Sequence, residues 1–447
     1  MREGSLEAPT RHPIAWQEPE FYDEAKLDAE LRRVFDICHG CRRCFNLCDS
    51  FPKLFDLVDA APSEELDTVK SADFGPVVDA CTLCDMCYMT KCPYVPPHSF
   101  NLDFPHLMLR YRAVEARKGK VSAVDEQLAR TDMNAKLASL AAPVANWVSA
   151  QGNGLTRPLL SKFAGLHPDA ALPKFEGQSL ELRASRNPLE INREAPGFGR
   201  KAVIYATCHG NYNDTAVGMA ARAVLARNGV ETEVVYPGCC GMPLLGQGEI
   251  GKVAESARHV AGELGVWIAR GYDVIALVPS CALMLKFEWP LILPEDAAVK
   301  TLAKASYDIT EYVVDIAKKE GLAPGLASIG GGVAVHMACH ARAQNMGQKA
   351  AEMLRLLPEA DVQVIERCSG HGGSWGFKNE WFETALKVGR PVARTARDGG
   401  KAFVTSECPL AGVHIMQGID RLPGDAPKPE RITHPIQLVA RAYGIGA

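Results

Sequence analysis

Beyond residue 200 the chain alternates short apolar runs with longer stretches of helical period. The run Ala202-Val-Ile-Tyr-Ala predicts a strand, residues 214–228 a helix, 231–236 a strand, 251–271 a helix and 273–278 a third strand. The order then repeats. Gly332-Val-Ala-Val-His-Met-Ala opens a second copy, followed by helix 344–357, strand 361–366, helix 380–398 and strand 401–406. Strands alternating with helices imply parallel βαβ units, so two repeated α/β units with parallel sheets are expected here.

The first half shows no such alternation. Residues 24–34 read as helix, and 49–80 as a helical insert with Ser63-Glu-Glu-Leu as a capped start. Another helix begins at Asp103 and runs into Arg110, Arg112, Arg117, Lys118 and Lys120. That cluster is expected to be a solvated face; the sharper reading is a docking surface for an acidic partner or an anionic membrane. Leu137, Leu140, Val144 and Trp147 recur at helical spacing. Such a stripe is expected to pack on the protein's own core, the alternatives being a membrane interface or a quinone pocket. Residues 166–198, rich in Pro, Gly and charge, suit an extended connector.

Of the 447 residues, 47% are hydrophobic and 23% charged, and the net charge is −4. A real core can form, and nothing points to nucleic acid. No run of about 18 apolar residues predicts a membrane span. The opening MREGSLEAPTRHPIAW lacks the apolar centre of a secretory leader. The expected location is a reducing cytoplasm, with peripheral attachment to the cytoplasmic face of a membrane left open. Fifteen cysteines in such a compartment suggest ligation, and an odd count fits a disulfide framework poorly.

Eight of them form two runs: Cys38, Cys41, Cys44 and Cys48, then Cys81, Cys84, Cys87 and Cys92. Three cysteines at i, i+3 and i+6 wrap one loop around three corners of a cubane, while the fourth ligates the other cluster of a two-cluster ferredoxin. Cys38, Cys41, Cys44 and Cys92 are therefore assigned to one [4Fe–4S] cluster, and Cys81, Cys84, Cys87 and Cys48 to the other. Pro93 follows the second run as usual; Asp49 after the first is a departure. Zinc, the competing metal, takes two pairs of ligands more readily than two triples with trailing fourths. The expected organisation is α+β and multidomain. A helical ferredoxin domain with two [4Fe–4S] clusters spans 1–105 and a helical and extended connector 106–198. The two α/β units span 199–325 and 326–447.

The other seven cysteines fall just after predicted strand ends, where parallel sheets place their sites. The first copy has Cys208, Cys239, Cys240 and Cys281; the second has Cys339, Cys368 and Cys408, with Ser369 in the place of Cys240. Cys208 to Cys239 is 31 positions and Cys339 to Cys368 is 29; the next gaps are 42 and 40. Neighbouring cysteines resist bridging to one another, but each thiolate can take a different iron of one cluster. Gly241 and Gly370 are expected to let the backbone approach the metal. A third cluster is expected in the first copy. For the second, a cluster with few cysteine ligands, helped by a histidine, stands against an empty or catalytic pocket beside Ser-Gly-His371-Gly-Gly-Ser-Trp375-Gly. His209 and His340 are expected to hydrogen-bond behind the ligands.

With these motifs the chain resembles the family of the iron–sulfur subunit of anaerobic glycerol-3-phosphate dehydrogenase, the glycolate oxidase iron–sulfur subunit and the heterodisulfide reductase D subunit. The two cysteine runs, CCG at 239–241 and CSG at 368–370 carry the likeness, which covers nearly the whole chain. It implies electron transfer between a flavoprotein dehydrogenase subunit and a quinone or other membrane acceptor. In heterodisulfide reductases the fullest CCG domain ends in CxxC and holds a cluster that splits a disulfide. Val278-Pro-Ser-Cys281 and the stretch from Thr405 to Cys408 lack the first of those two cysteines. Relay is therefore favoured over a disulfide-reducing enzyme, with a redox or oxygen sensor as the third reading. No GxGxxG fingerprint opens a strand–helix unit, so the dehydrogenase itself is expected on a separate chain.

Overall fold

The two sets of apolar runs form two four-stranded, wholly parallel sheets. The computed structural model describes residues 9–446, so the first eight positions of the opening stretch lie outside the described residues. β1 (Lys201–Tyr205), β2 (Glu231–Val235), β3 (Asp273–Ala276) and β4 (Ser306–Asp308) lie in the order β2-β1-β3-β4. β5 (Val333–His336), β6 (Val362–Ile365), β7 (Phe403–Ser406) and β8 (Glu430–Ile432) repeat it as β6-β5-β7-β8. Sequence reading finds three strands per copy; β4 and β8 escape it because each has only three residues and little apolar run. The helix expected over 344–357 is interrupted. Asn345 and Gly347 take left-handed backbone (φ 51° and 81°), leaving helical turns at Cys339–Ala343 and Lys349–Leu354.

β1 shows why the sheets read as continuous apolar runs. Successive side chains point to opposite faces. Val203 and Tyr205 enter one core, Ala202 and Ile204 another, and all four are fully buried. A parallel sheet covered on both faces needs this. The second of those cores also takes in Val333, Val335 and Phe403, so the two sheets share a packed interior.

The first core extends from Ile14 through the N-terminal helices to Leu302. Those helices are α1 (Glu24–Cys41), α2 (Ser50–Asp59), α3 (Gly75–Asp79) and α4 (Phe104–Arg117). Asp23 caps α1 by accepting from the Lys26 amide at 3.0 Å. The Ser63 start yields only a short 3₁₀ turn at Leu66–Thr68, because Ser63 Oγ bonds Thr68 and Asp67 in a closed loop. α5 (Ala123–Ala129), α6 (Thr131–Leu140), α7 (Ala142–Ser149) and α8 (Arg157–Ala164) follow, and the stretch expected to be extended holds a helix at Leu180–Arg186. Leu180 is fully buried and lies where Gly218 leaves room for it: a Cβ at Gly218 would meet it at 2.2 Å.

One expectation about this half is overturned, and a second holds only in part. Leu137, Leu140, Val144 and Trp147 are 58, 83, 61 and 55% exposed, so the stripe on α6 and α7 does not pack on the core. Leu155, Leu159 and Phe163, on α8 and its approach, are exposed as well. In the basic cluster Arg117, Lys118 and Lys120 are exposed, as a solvated face requires, while Arg110 and Arg112 are half-buried and bond the protein's own carbonyls. Arg112 donates to the carbonyl oxygens of Val78, Cys81 and Gly246, and Arg110 to those of Glu20 and Phe21. Arg117 stacks on Tyr22, while Lys118 and Lys120 pair with Glu115. Among the described residues no helix is long and apolar enough to cross a membrane.

A buried ionic knot ties the ends of the first core together. Arg11 donates to Asp85 (2.7 Å), Asp103 (2.8 Å) and Glu288 (3.0 Å), and His106 sits between Asp103 and Glu288 at 3.2 Å from each. Burial alone would lower the pKa of His106; Asp103 and Glu288 outweigh it and hold the value above the ordinary 6.5. A raised histidine pKa contributes its full stabilisation below about 6.5 and loses it as pH climbs through the folded value. Relative to His106→Gln, the wild-type advantage in urea unfolding is therefore expected to be full below about pH 6.5 and to shrink as pH rises above it. A difference constant across that rise would show that the charge on His106 contributes nothing.

Candidate metal centres

The local conformations of the two N-terminal runs differ. Cys38 and Cys41 occupy the last turn of α1, where i, i+3 spacing puts them on one face, and Arg42 ends the helix in left-handed backbone (φ 50°). The first run is thus partly helix end and not wholly loop. The second run is the wrapping loop, with Leu83 and Asp85 at φ 50° and 63°, followed by a π-helical turn at Cys87–Lys91.

The tertiary structure interleaves the runs. Burial pushes the Cys38 thiol up, and its thiol neighbours are Cys92, Cys44 and Cys41. Burial likewise raises Cys48, whose neighbours include Cys84 and Cys81. Cys87, also raised by burial, faces Cys84, Cys81 and Cys48, with Cys44 beyond. The fourth cysteine of each run therefore lies with the other run. The structure pairs none of the cysteines in a disulfide. Burying several thiols together without disulfides favours their neutral form; a thiophilic metal centre would release the protons and use the sulfurs as ligands. Sulfur-only donor sets are the chemistry iron–sulfur clusters use, although among the described residues no three such side chains converge closely enough to grip a single metal ion.

At the carboxyl end of the first sheet Cys208 and Cys239 lie 3.9 Å apart, and Cys240 and Cys281 3.3 Å apart. Tyr205 Oη donates to the Gly238 carbonyl at 2.7 Å and Trp289 Nε1 to the Cys240 carbonyl at 3.1 Å, fixing the loop between them. Hydrogen bonding with Cys208 and Cys240 depresses Cys239 well below the usual thiol range, against the effect of burial. Thr131, at the start of α6, places its hydroxyl 3.6 Å from Cys208 and 3.8 Å from Cys239. Nothing in the local sequence marks Thr131, because the contact spans 77 and 108 positions.

The second sheet presents Cys339, Cys368 and Cys408. The Gly370 amide donates to Cys368 at 3.4 Å, as the Gly241 amide does to Cys239 at 3.5 Å. A hydrogen bond from Cys339 lowers Cys368 to about 7, against burial, while burial raises Cys408 to about 11. His371 Nε2 lies 3.5 Å from Cys408 Sγ. Burial holds His371 down at about 3 and His209 at about 4. His340 bonds Ser280 Oγ at 2.8 Å and the Leu83 carbonyl at 3.3 Å, linking both copies and the N-terminal loop, as expected of a supporting residue.

The glycines after the cysteines are required by the backbone and by the helices packed against it. Gly241 and Gly370 have φ of 80° and 86°, which side chains rarely adopt. A Cβ at Gly370 would stand 2.0 Å from the Ala385 carbonyl oxygen, and one at Gly241 3.3 Å from Val253. The missing Cβ makes room for the flanking helices at both positions.

The centres also meet one another. The Cys339 thiol hydrogen-bonds both Cys368 and Cys84, joining the second copy to the N-terminal group. One cavity of about 870 Å³ is lined by Cys81, Cys84, Cys239, Cys281, Cys339 and Cys408, among others.

Residues 202–286 and 333–415 match the family model described as cysteine-rich domain, CCG. The chain is 25% identical over 324 residues to the C subunit of anaerobic glycerol-3-phosphate dehydrogenase of Escherichia coli K12, covering 70% of this chain and 76% of that one. It is 28% identical over 257 residues to the D subunit of dihydromethanophenazine:CoB–CoM heterodisulfide reductase of Methanosarcina acetivorans, covering 54% and 59%. Lactate utilization protein A of Bacillus cytotoxicus is 27% identical over 220 residues, covering 46% and 87%.

Proposed function

We propose, for a chain that carries two cysteine-rich CCG domains, that it is the iron–sulfur electron-transfer subunit of a larger oxidoreductase. It would relay electrons between a flavoprotein dehydrogenase subunit and a quinone or other acceptor. The observation that carries this reading is the continuity of thiol groups: two interleaved N-terminal sets, then Cys84 against Cys339, then both sheet ends around one cavity. The names of the relatives, subunits of a dehydrogenase and a reductase, agree with a redox role.

In this reading residues 1–105 form a two-cluster ferredoxin domain, 106–198 a connector, and 199–325 and 326–447 the two CCG units. Cys38, Cys41, Cys44 and Cys92 hold one [4Fe–4S] cluster and Cys48, Cys81, Cys84 and Cys87 the other. Cys208, Cys239, Cys240 and Cys281 hold a third, and Cys339, Cys368 and Cys408 are the donors of a fourth. The clusters supply one-electron acceptors and donors. The chain's own contribution is to fix the sulfurs, to keep water from them by burial, and to direct hydrogen bonds at them: Thr131 and the Gly241 amide in the first copy, the Gly370 amide in the second. The exposed face of α6 to α8 supports a membrane-side acceptor, since a bilayer surface would cover it.

Iron and acid-labile sulfide, measured on anaerobically purified chain with EPR during stepwise reduction, test the reading. More than about eight irons, with a signal beyond two coupled cubanes, is expected. About eight irons would confine clusters to the N-terminal segment. The cavity favours one second reading, an enzyme reducing a disulfide or related acceptor at the CCG site. Turnover of a disulfide by the isolated chain would favour that reading over relay.

A further inference from the structure

The second copy loses one thiolate and gains one imidazole. Ser369 stands where the first copy has Cys240, and His371 where it has Met242. The geometry looks like an exchange. Cys240 Sγ lies 3.3 Å from Cys281 Sγ, and His371 Nε2 lies 3.5 Å from Cys408, the counterpart of Cys281. A simple reading would make His371 the missing fourth ligand.

The other ring nitrogen argues against it. A histidine that ligates metal through one nitrogen carries its proton on the other and donates it to a carbonyl, carboxylate or water. His371 Nδ1 does the reverse: it accepts the Gly373 amide at 2.9 Å. An acceptor Nδ1 puts the proton on Nε2, the nitrogen that faces Cys408. The loop enforces this arrangement. Gly372 and Gly373 have φ of 52° and 67°, and the Gly376 amide closes on the His371 carbonyl at 2.9 Å. Trp375 Nε1 anchors the turn to the Asp79 carbonyl at 3.1 Å, and a Cβ at Gly372 would meet Thr82 at 2.7 Å. Turning the imidazole into a ligand would break the Gly373 bond inside a loop packed against the second cysteine run.

We infer that His371 is a positioning residue that donates Nε2–H to the Cys408 sulfur, leaving Cys339, Cys368 and Cys408 as the only side-chain donors the second copy would offer a cluster. This rests on the reading that the second copy holds a cluster. A hydrogen bond to a ligand sulfur stabilises the more negative, reduced state, so the donor raises the reduction potential of that centre alone. The first copy, with four thiolates and Met242 in this place, has no equivalent donor from that position.

The test uses the full chain, purified anaerobically, with iron and sulfide analysis and redox-titrated EPR. Cys408→Ser identifies the second-copy signal by its loss. His371→Leu is expected to keep wild-type iron and to move that signal to a more negative midpoint, with the N-terminal signals unchanged. His371→Gln, which keeps an N–H donor, is expected to return the midpoint towards wild type. If both histidine variants lose as much iron as Cys408→Ser, His371 is a ligand and the inference is wrong. An unchanged midpoint in both variants overturns the donor role alone. Full iron retention in Cys408→Ser overturns the cluster reading, and the inference with it. Should His371→Leu fail to accumulate, His371→Gln still decides: retained iron and signal support a donor, and loss of iron overturns it.

Discussion

Cys84→Ser is expected to remove about four irons per chain and to abolish electron flow from a flavoprotein donor to the acceptor. Cys84 holds two positions at once. It belongs with Cys48, Cys81 and Cys87, and it also meets Cys339 of the second copy. Losing it removes a centre and the hydrogen-bonded contact between the N-terminal groups and the second sheet end. Serine preserves the volume but is a poor ligand for a soft metal, so a fold defect is not expected. Cys240→Ser is the matched comparison. It makes the first copy resemble the second, and it should cost iron there while leaving both N-terminal signals intact. Iron analysis and a dye-linked electron-transfer assay on both variants check the pair. Wild-type flow through Cys84→Ser would exclude the N-terminal group from the path.

Arg11→Met should cost about 3–5 kcal/mol of stability, the range for removing one partner of a buried ion pair. The guanidinium is held by three carboxylates whose side chains are only 4–21% exposed. Burial works against the Arg11 charge, yet Asp85, Asp103 and Glu288 raise its pKa well above the ordinary arginine value. Without it, three buried carboxylates face one another with only His106 for compensation. Methionine restores volume, so the loss reports charge and not a cavity. Arg11→Lys should recover part of it, since an ammonium cannot serve three acceptors in a planar fork. Anaerobic urea unfolding at matched iron content measures the difference. A loss under about 1 kcal/mol would place the knot with ordinary surface pairs.

The knot also shows a boundary of sequence reading. Arg11 and Glu288 are 277 positions apart, and no local pattern relates them. The same holds for the exposed stripe at Leu137, Leu140, Val144 and Trp147. Its period fixes a helical face but not what covers that face, and none of the described residues does. The basic residues of α4 look solvated in sequence because charge usually is; Arg112 instead spans the carbonyls of Val78, Cys81 and Gly246.

The features legible along the chain are local and periodic. Cysteine spacing marked both N-terminal runs, and apolar runs marked six of the eight strands. The repeat of strand, cysteine and helix put seven thiols at strand ends, because backbone periodicity and side-chain chemistry are written over a few residues. Which distant groups meet is settled only in three dimensions. The fold interleaved the two runs, set Thr131 beside Cys208 and Cys239, brought Cys84 to Cys339, and turned Nε2 of His371 towards Cys408. Those meetings depend on how helices and sheets pack over tens to hundreds of positions, and packing is a property of the whole core rather than of any segment.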